Sequence, residues 1–406
     1  MEEFGLLGKS LKHSYSPRIH DMLGEYTYKL FEREEDEVED FIKNESWRGL
    51  NVTIPYKKTV LPYLTKISDV AKEAGSVNTI FKIDDEIYGE NTDVYGFMEM
   101  VKKSGIDVCQ KKTLVLGSGG ASCAVVKGLK DLGAMPLIIS RSGENNYENI
   151  KLHEDAQIIV NTTPLGMYPK VGVKPLDLSI FNKLDAVYDI IYNPARTELV
   201  LQAEKLGIPA FGGLYMLVAQ AMKSAELFMG GTVSEEETDR IYKTLSNEMT
   251  NIILIGMPGC GKSSIARELG RILNREVVDS DEVIMQEAGR KPSDIIKESG
   301  EDEFRRIESE IIARIGMESG KIIATGGGAI LREGNYDSLH QNGTIFWIRR
   351  DIEMLPTNDR PLSEGVDLNE LFQKRKPFYE KFSDYSVSNE NLNEAAKEIV
   401  RIVRTM

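Results

Sequence analysis

The stretch Gly256-Met-Pro-Gly-Cys-Gly-Lys-Ser263 constrains this chain more than any other part of it. It fits G-x-x-x-x-G-K-[ST] and lies between an apolar run, NIILIG, and a helical pattern, KSSIARELGRIL. Strand, glycine loop and helix in that order form the context in which such a loop holds nucleotide phosphates. Gly256, Gly259 and Gly261 let successive backbone N–H groups turn toward phosphate oxygens. Lys262 reaches the terminal phosphates, Ser263 offers a hydroxyl to Mg²⁺, and Cys260 and Ser264 complete the nucleotide-contact candidates. The alternative is a chance glycine turn before a helix, which the complete strand–loop–helix context disfavours.

The loop begins past the middle of 406 residues, so a large segment precedes it. That length predicts two or three folded units. Cys109, Cys123 and Cys260 form no C-x-x-C pair and read as reduced thiols, which fits a cytoplasmic protein. His13, His20, His153 and His340 are scattered, so no protein-built metal cage is expected. The N-terminus lacks the basic-then-apolar pattern of a signal peptide, and no apolar run is long enough to span a bilayer. A formal net charge of -14 argues against nonspecific nucleic-acid binding and leaves small anions as ligands for locally concentrated cations.

Periodicity predicts α/β structure throughout. In residues 1–95 the runs FGLLG, YTYKLF, LNVTIP and SVNTIFKI read as strands, and 17–24 and 67–74 as helices. Between 96 and 212, KTLVLG, MPLIIS, AQIIVNTT, AVYDIIY and IPAFGG alternate with helical stretches, the pattern of a parallel Rossmann-like sheet. The apolar helix of 213–235 is expected to return to the first zone. Residues 236–250 read as a linker, helical in part, and 251–406 as a second parallel-sheet domain around the phosphate loop.

Downstream of that loop, VVDSDEVI ends a strand with Asp279 and Asp281, EFRRIESE supplies Arg305 and Arg306, and ATGGGAIL places Gly326, Gly327 and Gly328 after a strand. At a strand end one carboxylate can serve Mg²⁺ and the other an acceptor hydroxyl. DRPLSEG and QKRKPFYEKF add Arg360 and Arg375. Together these resemble the shikimate kinases over about 250–406. The resemblance implies that Asp281 holds the ring hydroxyls of shikimate and that Arg305 and Arg375 grip its carboxylate. It implies further that Gly326–Gly328 line its face, that Asp279 acts with Ser263 on Mg²⁺, and that Arg360, in a lid over 356–372, neutralises the transferring phosphate of ATP. The segment LPTND before Arg360 is short for the family.

Upstream, TLVLGSGGASCAVV is a second strand–glycine loop–helix, with Gly117, Gly119, Gly120 and Ala121 in the turn and Ser122 at the third glycine position. The next strand ends in Ser140-Arg141-Ser142 rather than an acid, which suits the 2′-phosphate of NADP. Four dispersed clusters, HSYSP, LNVTIPYK, GSVNTI and ENTDVYG, carry hydroxyls and amides suited to a hydroxylated acid. Ser14 and Ser16 can bond a carboxylate, and Asn78 and Asp93 ring hydroxyls. Lys57 is a candidate proton donor, which Asp93 would hold charged. Taken singly, Lys57 could be a surface lysine and ENTD an ordinary turn. Together the clusters are similar to the shikimate dehydrogenases over about 4–230. The resemblance implies a shikimate site of Ser14, Ser16, Asn51, Thr53, Lys57, Asn78, Asp93 and Gln220, and adds Thr162 and Met167 beside the NADP(H). It implies a fusion of two consecutive enzymes whose partners are the small molecules 3-dehydroshikimate and shikimate. Two other readings stand beside it: an NAD-using quinate/shikimate dehydrogenase joined to a related kinase, and a nucleotide-binding regulatory protein with inactive sites.

Overall fold

A computed structural model of the chain describes residues 3–12, 14–355 and 367–405. The chain divides into two compact units, Met1–Tyr192 with Thr197–Leu245, and Asn193–Arg196 with Ser246–Met406.

The first unit contains two sheets. Strands β1 (Phe4–Gly8), β2 (Tyr28–Glu32), β3 (Gly49–Val52), β4 (Lys66–Ile67), β5 (Thr79–Ile83) and β6 (Glu86–Glu90) form a six-stranded sheet in the order β2-β1-β3-β5-β6-β4. It is mixed: β1 runs parallel to β2 and β3, whereas β5 is antiparallel to both β3 and β6. Neither β4 nor β6 is expected from the sequence pattern. Lys66–Ile67 is short, and Glu86–Glu90 carries acids at both ends in place of an apolar run. Ile67 accordingly belongs to a strand, and the helix expected from it begins at Asp69.

The second sheet is β7 (Lys112–Leu116), β8 (Met135–Ile139), β9 (Ile158–Asn161), β10 (Ala186–Asp189) and β11 (Ala210–Phe211), ordered β11-β10-β9-β7-β8 with every pairing parallel. Its central strands are buried on both faces, which is why they read as unbroken apolar runs rather than alternations. Helix Thr92–Ser104 packs on helix Leu214–Met229. The approach is close at Gly96, where an added Cβ would lie 2.6 Å from the Met216 carbonyl. Residues 95 and 96 both lie within the first of these helices, and the stretch read as a linker is the helix Glu235–Met249.

The second unit is one parallel sheet of β12 (Asn251–Ile255), β13 (Val277–Asp279), β14 (Ile322–Ala324), β15 (Gly343–Arg349) and β16 (Tyr385–Ser388), ordered β13-β14-β12-β15-β16. Its isoleucine-rich strands form a single core with the flanking helices. In a parallel sheet all strands deliver their following loops to one edge, and ligands bind there. The phosphate loop follows β12, Asp279 ends β13, Gly326–Gly328 follow β14, and Arg350 follows β15.

Among the described residues no helix is long and apolar enough to cross a membrane.

Candidate active sites

In the first unit, the turn after β3 carries Lys57 and the N-terminal turn of helix Thr92–Ser104 carries Asp93. Their Nζ and Oδ2 atoms are 2.5 Å apart, both side chains partly buried. Asp93 is therefore a helix-start residue rather than one in a plain turn, and Asn91 caps that helix by accepting from the Asp93 N–H. Asn78 Nδ2 donates to Asp93 Oδ1 at 2.8 Å and to Thr92 Oγ1 at 3.0 Å. Gln220 reaches the same cluster from helix Leu214–Met229, its Oε1 3.4 Å from the Thr92 hydroxyl.

Asn51 lies beneath this group, 5% exposed, with both ends of its amide engaged. Its Oδ1 accepts from the Tyr28 hydroxyl and its Nδ2 donates to Ser224, each at 2.7 Å. Ser16 is buried and hydrogen-bonds Tyr28, whose hydroxyl burial holds well above the usual phenol range. The Ser14 hydroxyl accepts from the Ser16 N–H. Thr53 follows β3, its N–H on the Leu7 carbonyl. Tyr28, Thr79, Thr92 and Ser224 were not singled out from sequence. Thr79 and Thr92 adjoin quoted site residues, but nothing local marks Tyr28 or Ser224.

Around the second sheet, Gly117 has φ +109, and a Cβ there would press on Thr162 Oγ1 at 2.9 Å. Thr162 in turn donates to the Leu116 carbonyl at 2.7 Å, which pins its loop against the glycine turn. Gly119 caps helix Gly120–Asp131, and a Cβ at Gly119 or Gly120 would meet nothing within 4 Å. That helix N-terminus is thus open to an anionic group, as a pyrophosphate requires. Ser122 fits the third glycine position because its buried hydroxyl turns back to the Gly119 carbonyl, 2.7 Å away. Ala121 lies in the first turn, Arg141 is exposed in the loop after β8, and Met167 is exposed in the loop after β9.

In the second unit, Gly256, Gly259 and Gly261 all have positive φ, of +146°, +85° and +99°. Lys262 Nζ bonds the Gly256 and Met257 carbonyls at 2.9 and 3.1 Å. Cys260 is buried, and its carbonyl accepts from Asn389 at 2.6 Å; Ser264 is exposed on the first helical turn. Ser263 Oγ lies 2.6 Å from Asp279 Oδ2. The strand ends at Asp279, which caps the following helix, so Asp281 stands in the first helical turn and not at a strand end as expected. The Asp279 Oδ1 accepts the free Asp281 N–H at 3.0 Å, and that local capping preference ends the strand early.

A cavity of about 730 Å³ is lined by the phosphate loop, Asp279, Asp281, Arg305, Gly326–Gly328 and Arg375. Arg305 and Glu308 form a buried ion pair at 2.6 Å. Arg306, its neighbour in sequence, faces out and pairs with Glu303 and Glu310. Burial pushes the Glu308 carboxyl up from its ordinary range, and the Arg305 charge opposes that. Gly326 leaves room for two acids: a Cβ would lie 2.6 Å from Glu308 Oε1 and 2.9 Å from Asp281 Oδ1. A Cβ on Gly328 would collide with the Arg305 guanidinium. Tyr379 holds the Gly327 carbonyl at 2.7 Å and Arg375 reaches it at 3.3 Å. Ser280 holds the Gly326 N–H at 3.0 Å. Glu308, Ser280 and Tyr379 were missed as site residues, although Glu308 stands three residues from Arg305, a helical pairing distance. Arg360 and most of the expected lid lie outside the described residues.

Ser263 and Asp279 give a divalent cation two hard oxygens. Among the described residues no group of three or more His, Cys, Asp or Glu could hold a metal. The two oxygens, 2.6 Å apart, suit Mg²⁺, which takes few protein ligands and keeps positions for phosphate and water.

The molecule thus combines two classes of site, a dinucleotide-type α/β unit built around a lysine–aspartate pair and a phosphate-loop unit built around an arginine-lined cavity. Residues 6–80 match the shikimate dehydrogenase substrate binding domain, and residues 258–404 match shikimate kinase. The chain is 38% identical over 268 residues to the shikimate dehydrogenase (NADP(+)) of Clostridium beijerinckii, covering 61% of this chain and 99% of that one. Among solved structures, a chorismate mutase/shikimate 5-dehydrogenase fusion protein from Clostridium acetobutylicum superposes with a TM-score of 0.57 at 35% identity, over 60% of this chain and 97% of that one. Shikimate 5-dehydrogenase from Thermus thermophilus, in complex with NADP(H) and shikimate, superposes at 0.54 with 27% identity, over 60% and 99%. The chain belongs to the shikimate dehydrogenase family and carries a shikimate kinase domain after it.

Proposed function

We propose that this chain catalyses two consecutive reactions, the NADPH-dependent reduction of 3-dehydroshikimate to shikimate and the ATP-dependent phosphorylation of shikimate to shikimate 3-phosphate. The observation that carries the reading is that each unit brings groups for a hydroxylated acid against its own reactive group. In the first, Asn78 and Asp93 stand beside the Lys57 ammonium. In the second, Asp281, Arg305 and Arg375 share a cavity with Lys262.

In the first reaction the Lys57 ammonium, oriented by Asp93, protonates the carbonyl oxygen as the carbon accepts hydride, and the ketone becomes an alcohol. The nicotinamide, when bound, supplies that hydride. Ser14 and Ser16 hold the acid's carboxylate, and Asn51, Thr53, Asn78 and Gln220 order its hydroxyls directly or from beneath. Gly117, Gly119, Gly120, Ala121, Thr162 and Met167 cradle the dinucleotide, with Arg141 on the 2′-phosphate.

In the second, Arg305 and Arg375 hold the carboxylate and Gly326–Gly328 give the ring a flat face. Asp281 takes the proton of the 3-hydroxyl as its oxygen forms the new bond to the γ-phosphorus and the bond to the ADP oxygen breaks. Gly256, Gly259, Cys260, Gly261 and Ser264 wrap the nucleotide, and Lys262 offsets the charge that develops. Ser263 and Asp279 would hold a Mg²⁺ ion, which would supply charge shielding for the polyphosphate. The resemblance to the kinases assigns Arg360 a further positive charge on the transferring phosphate. Free cysteines suit a reducing cytoplasm.

The test is a coupled assay of the whole chain from 3-dehydroshikimate, NADPH, ATP and Mg²⁺, scored for shikimate 3-phosphate. Product should form at the expense of NADPH and ATP in equal amounts. A chain that forms none, or that prefers quinate with NAD⁺ over shikimate with NADP⁺, would reject the reading.

A further inference from the structure

A cluster of three buried hydroxyls adjoins the Lys57–Asp93 pair, and the chemistry above does not use it as a unit. Thr79 begins β5, Thr92 opens helix Thr92–Ser104, and Ser224 lies in the second half of helix Leu214–Met229. None is more than 1% exposed. The oxygens form a triangle: Thr79 to Ser224 at 2.8 Å, Thr92 to Ser224 at 3.0 Å, and Thr79 to Thr92 at 3.2 Å.

The surrounding amides fix how protons run through it. Asn51 accepts from Tyr28 at its Oδ1, so its two N–H bonds face inward, to Ser224 at 2.7 Å and Thr79 at 3.2 Å. Asn78 accepts the Thr92 backbone N–H at its Oδ1, 2.7 Å away, so its Nδ2 is the end that meets Thr92 Oγ1 and Asp93 Oδ1. The triangle therefore receives donors from both asparagines. Its own three protons are shared between the edges of the triangle and four outer contacts: the Gln220 carbonyl at 3.0 Å from Ser224, Asn78 Oδ1 at 3.1 Å from Thr79 and 3.2 Å from Thr92, and Gln220 Oε1 at 3.4 Å from Thr92. Each hydroxyl is satisfied only if its neighbours point the right way, and such buried networks specify one arrangement.

Ser224 is the corner that comes from another part of the chain, 173 residues from Asn51 and 132 from Thr92. It hydrogen-bonds neither Lys57 nor Asp93. We propose that Ser224, through the Thr79–Thr92 hydroxyls, is a positioning residue of the dehydrogenase: it locks the amide of Asn78 and thereby the Asp93 carboxylate against Lys57. Without its oxygen, the Asn51 N–H loses a buried acceptor and Thr79 and Thr92 lose the partner that orders them.

This inference rests on the proposed dehydrogenase activity, so oxidation of shikimate by NADP⁺ is first measured on the unaltered chain. Absence of turnover there rejects that reading, and this one with it. If turnover is present, three variants decide. Ser224→Ala and Thr79→Val, which keep shape and remove a hydroxyl, should each lower kcat about tenfold with KM for shikimate and NADP⁺ held within about twofold. Thr79→Ser, which keeps the hydroxyl and loses a methyl, should retain kcat. Kinase turnover of the same preparations should be unchanged, which separates the effect from misfolding of the chain. Unchanged kcat in Ser224→Ala, a rise in KM alone, or equal losses in Thr79→Val and Thr79→Ser would each overturn the proposal. If Ser224→Ala yields no folded chain, the Thr79 pair alone decides by the same criteria.

Discussion

Lys57 and Arg305 are two cations with opposite dependence on their surroundings. Lys57 sits in a partly exposed ion pair whose value lies in orientation. Lys57→Ala is expected to lower dehydrogenase kcat by roughly 10²- to 10⁴-fold, the usual weight of a positioned acid. NADPH oxidation with 3-dehydroshikimate measures it, and kinase turnover should not move. Arg305 is different, because its partner Glu308 is 1% exposed. Removing one member of a buried pair leaves the other charge without compensation, at a cost of about 3–5 kcal/mol. Arg305→Ala should thus lower the urea midpoint of the second unit as well as abolish kinase activity, and a midpoint equal to that of the unaltered chain would contradict the buried pair. The same pair illustrates the limit of local reading. Arg305 and Arg306 are adjacent and chemically alike, and only helical phase against the Gly328 turn sends one inward.

At the scale of elements, close backbone approaches and strand-end networks hold the sites in place. Gly96 lets the helix bearing Asp93 meet the helix bearing Gln220. Gly96→Ala should cost about 1–3 kcal/mol by overpacking and raise KM for shikimate, read from denaturation and steady-state kinetics. At the ends of β9 and β10, Asp189 is fully buried and accepts from Asn161, the Ile191 N–H and Thr197. Burial raises its carboxyl to about 7, while those donors oppose the rise. A folded-state value above the unfolded one means stability that is full below about pH 4 and is lost as pH climbs through 7. His20 runs the other way. Burial holds it to about 3, so its contribution is present above pH 6.5 and is lost as pH falls toward 3. Comparison with Asp189→Asn isolates the first. The stability difference between the unaltered chain and the variant should grow in favour of the unaltered chain as pH drops from 8 to 5. A difference independent of pH would show that Asp189 is not held in this state.

For the whole molecule, two separate sites in one chain predict separable chemistry. Lys262→Ala should abolish phosphorylation and leave NADPH oxidation intact, the mirror of Lys57→Ala. An external shikimate kinase added to the Lys262→Ala chain should restore product in full. Failure of that rescue would mean that the released intermediate is inaccessible. Much of this organisation was legible in the linear chain. Both glycine loops declare themselves because a phosphate cradle needs glycines, a strand before and a helix after, all contiguous. The substrate strands were harder. Glu86–Glu90 is an ordinary strand by pairing but lacks the apolar pattern, and Asp281 was assigned to a strand that a capping aspartate had already ended.

The sequence by itself determined the two phosphate-binding turns, the parallel sheets behind them and the residue types needed for a hydroxylated acid. Those features depend on neighbours within a few positions, where backbone propensity and periodicity act. Tertiary structure alone decided which dispersed residues meet. Lys57 and Asp93 stand 36 residues apart, and Asn51 and Ser224 stand 173 apart. A hydrogen bond reaches only about 3 Å, so no pattern along the chain can say that such groups touch until the strands and helices that carry them have packed.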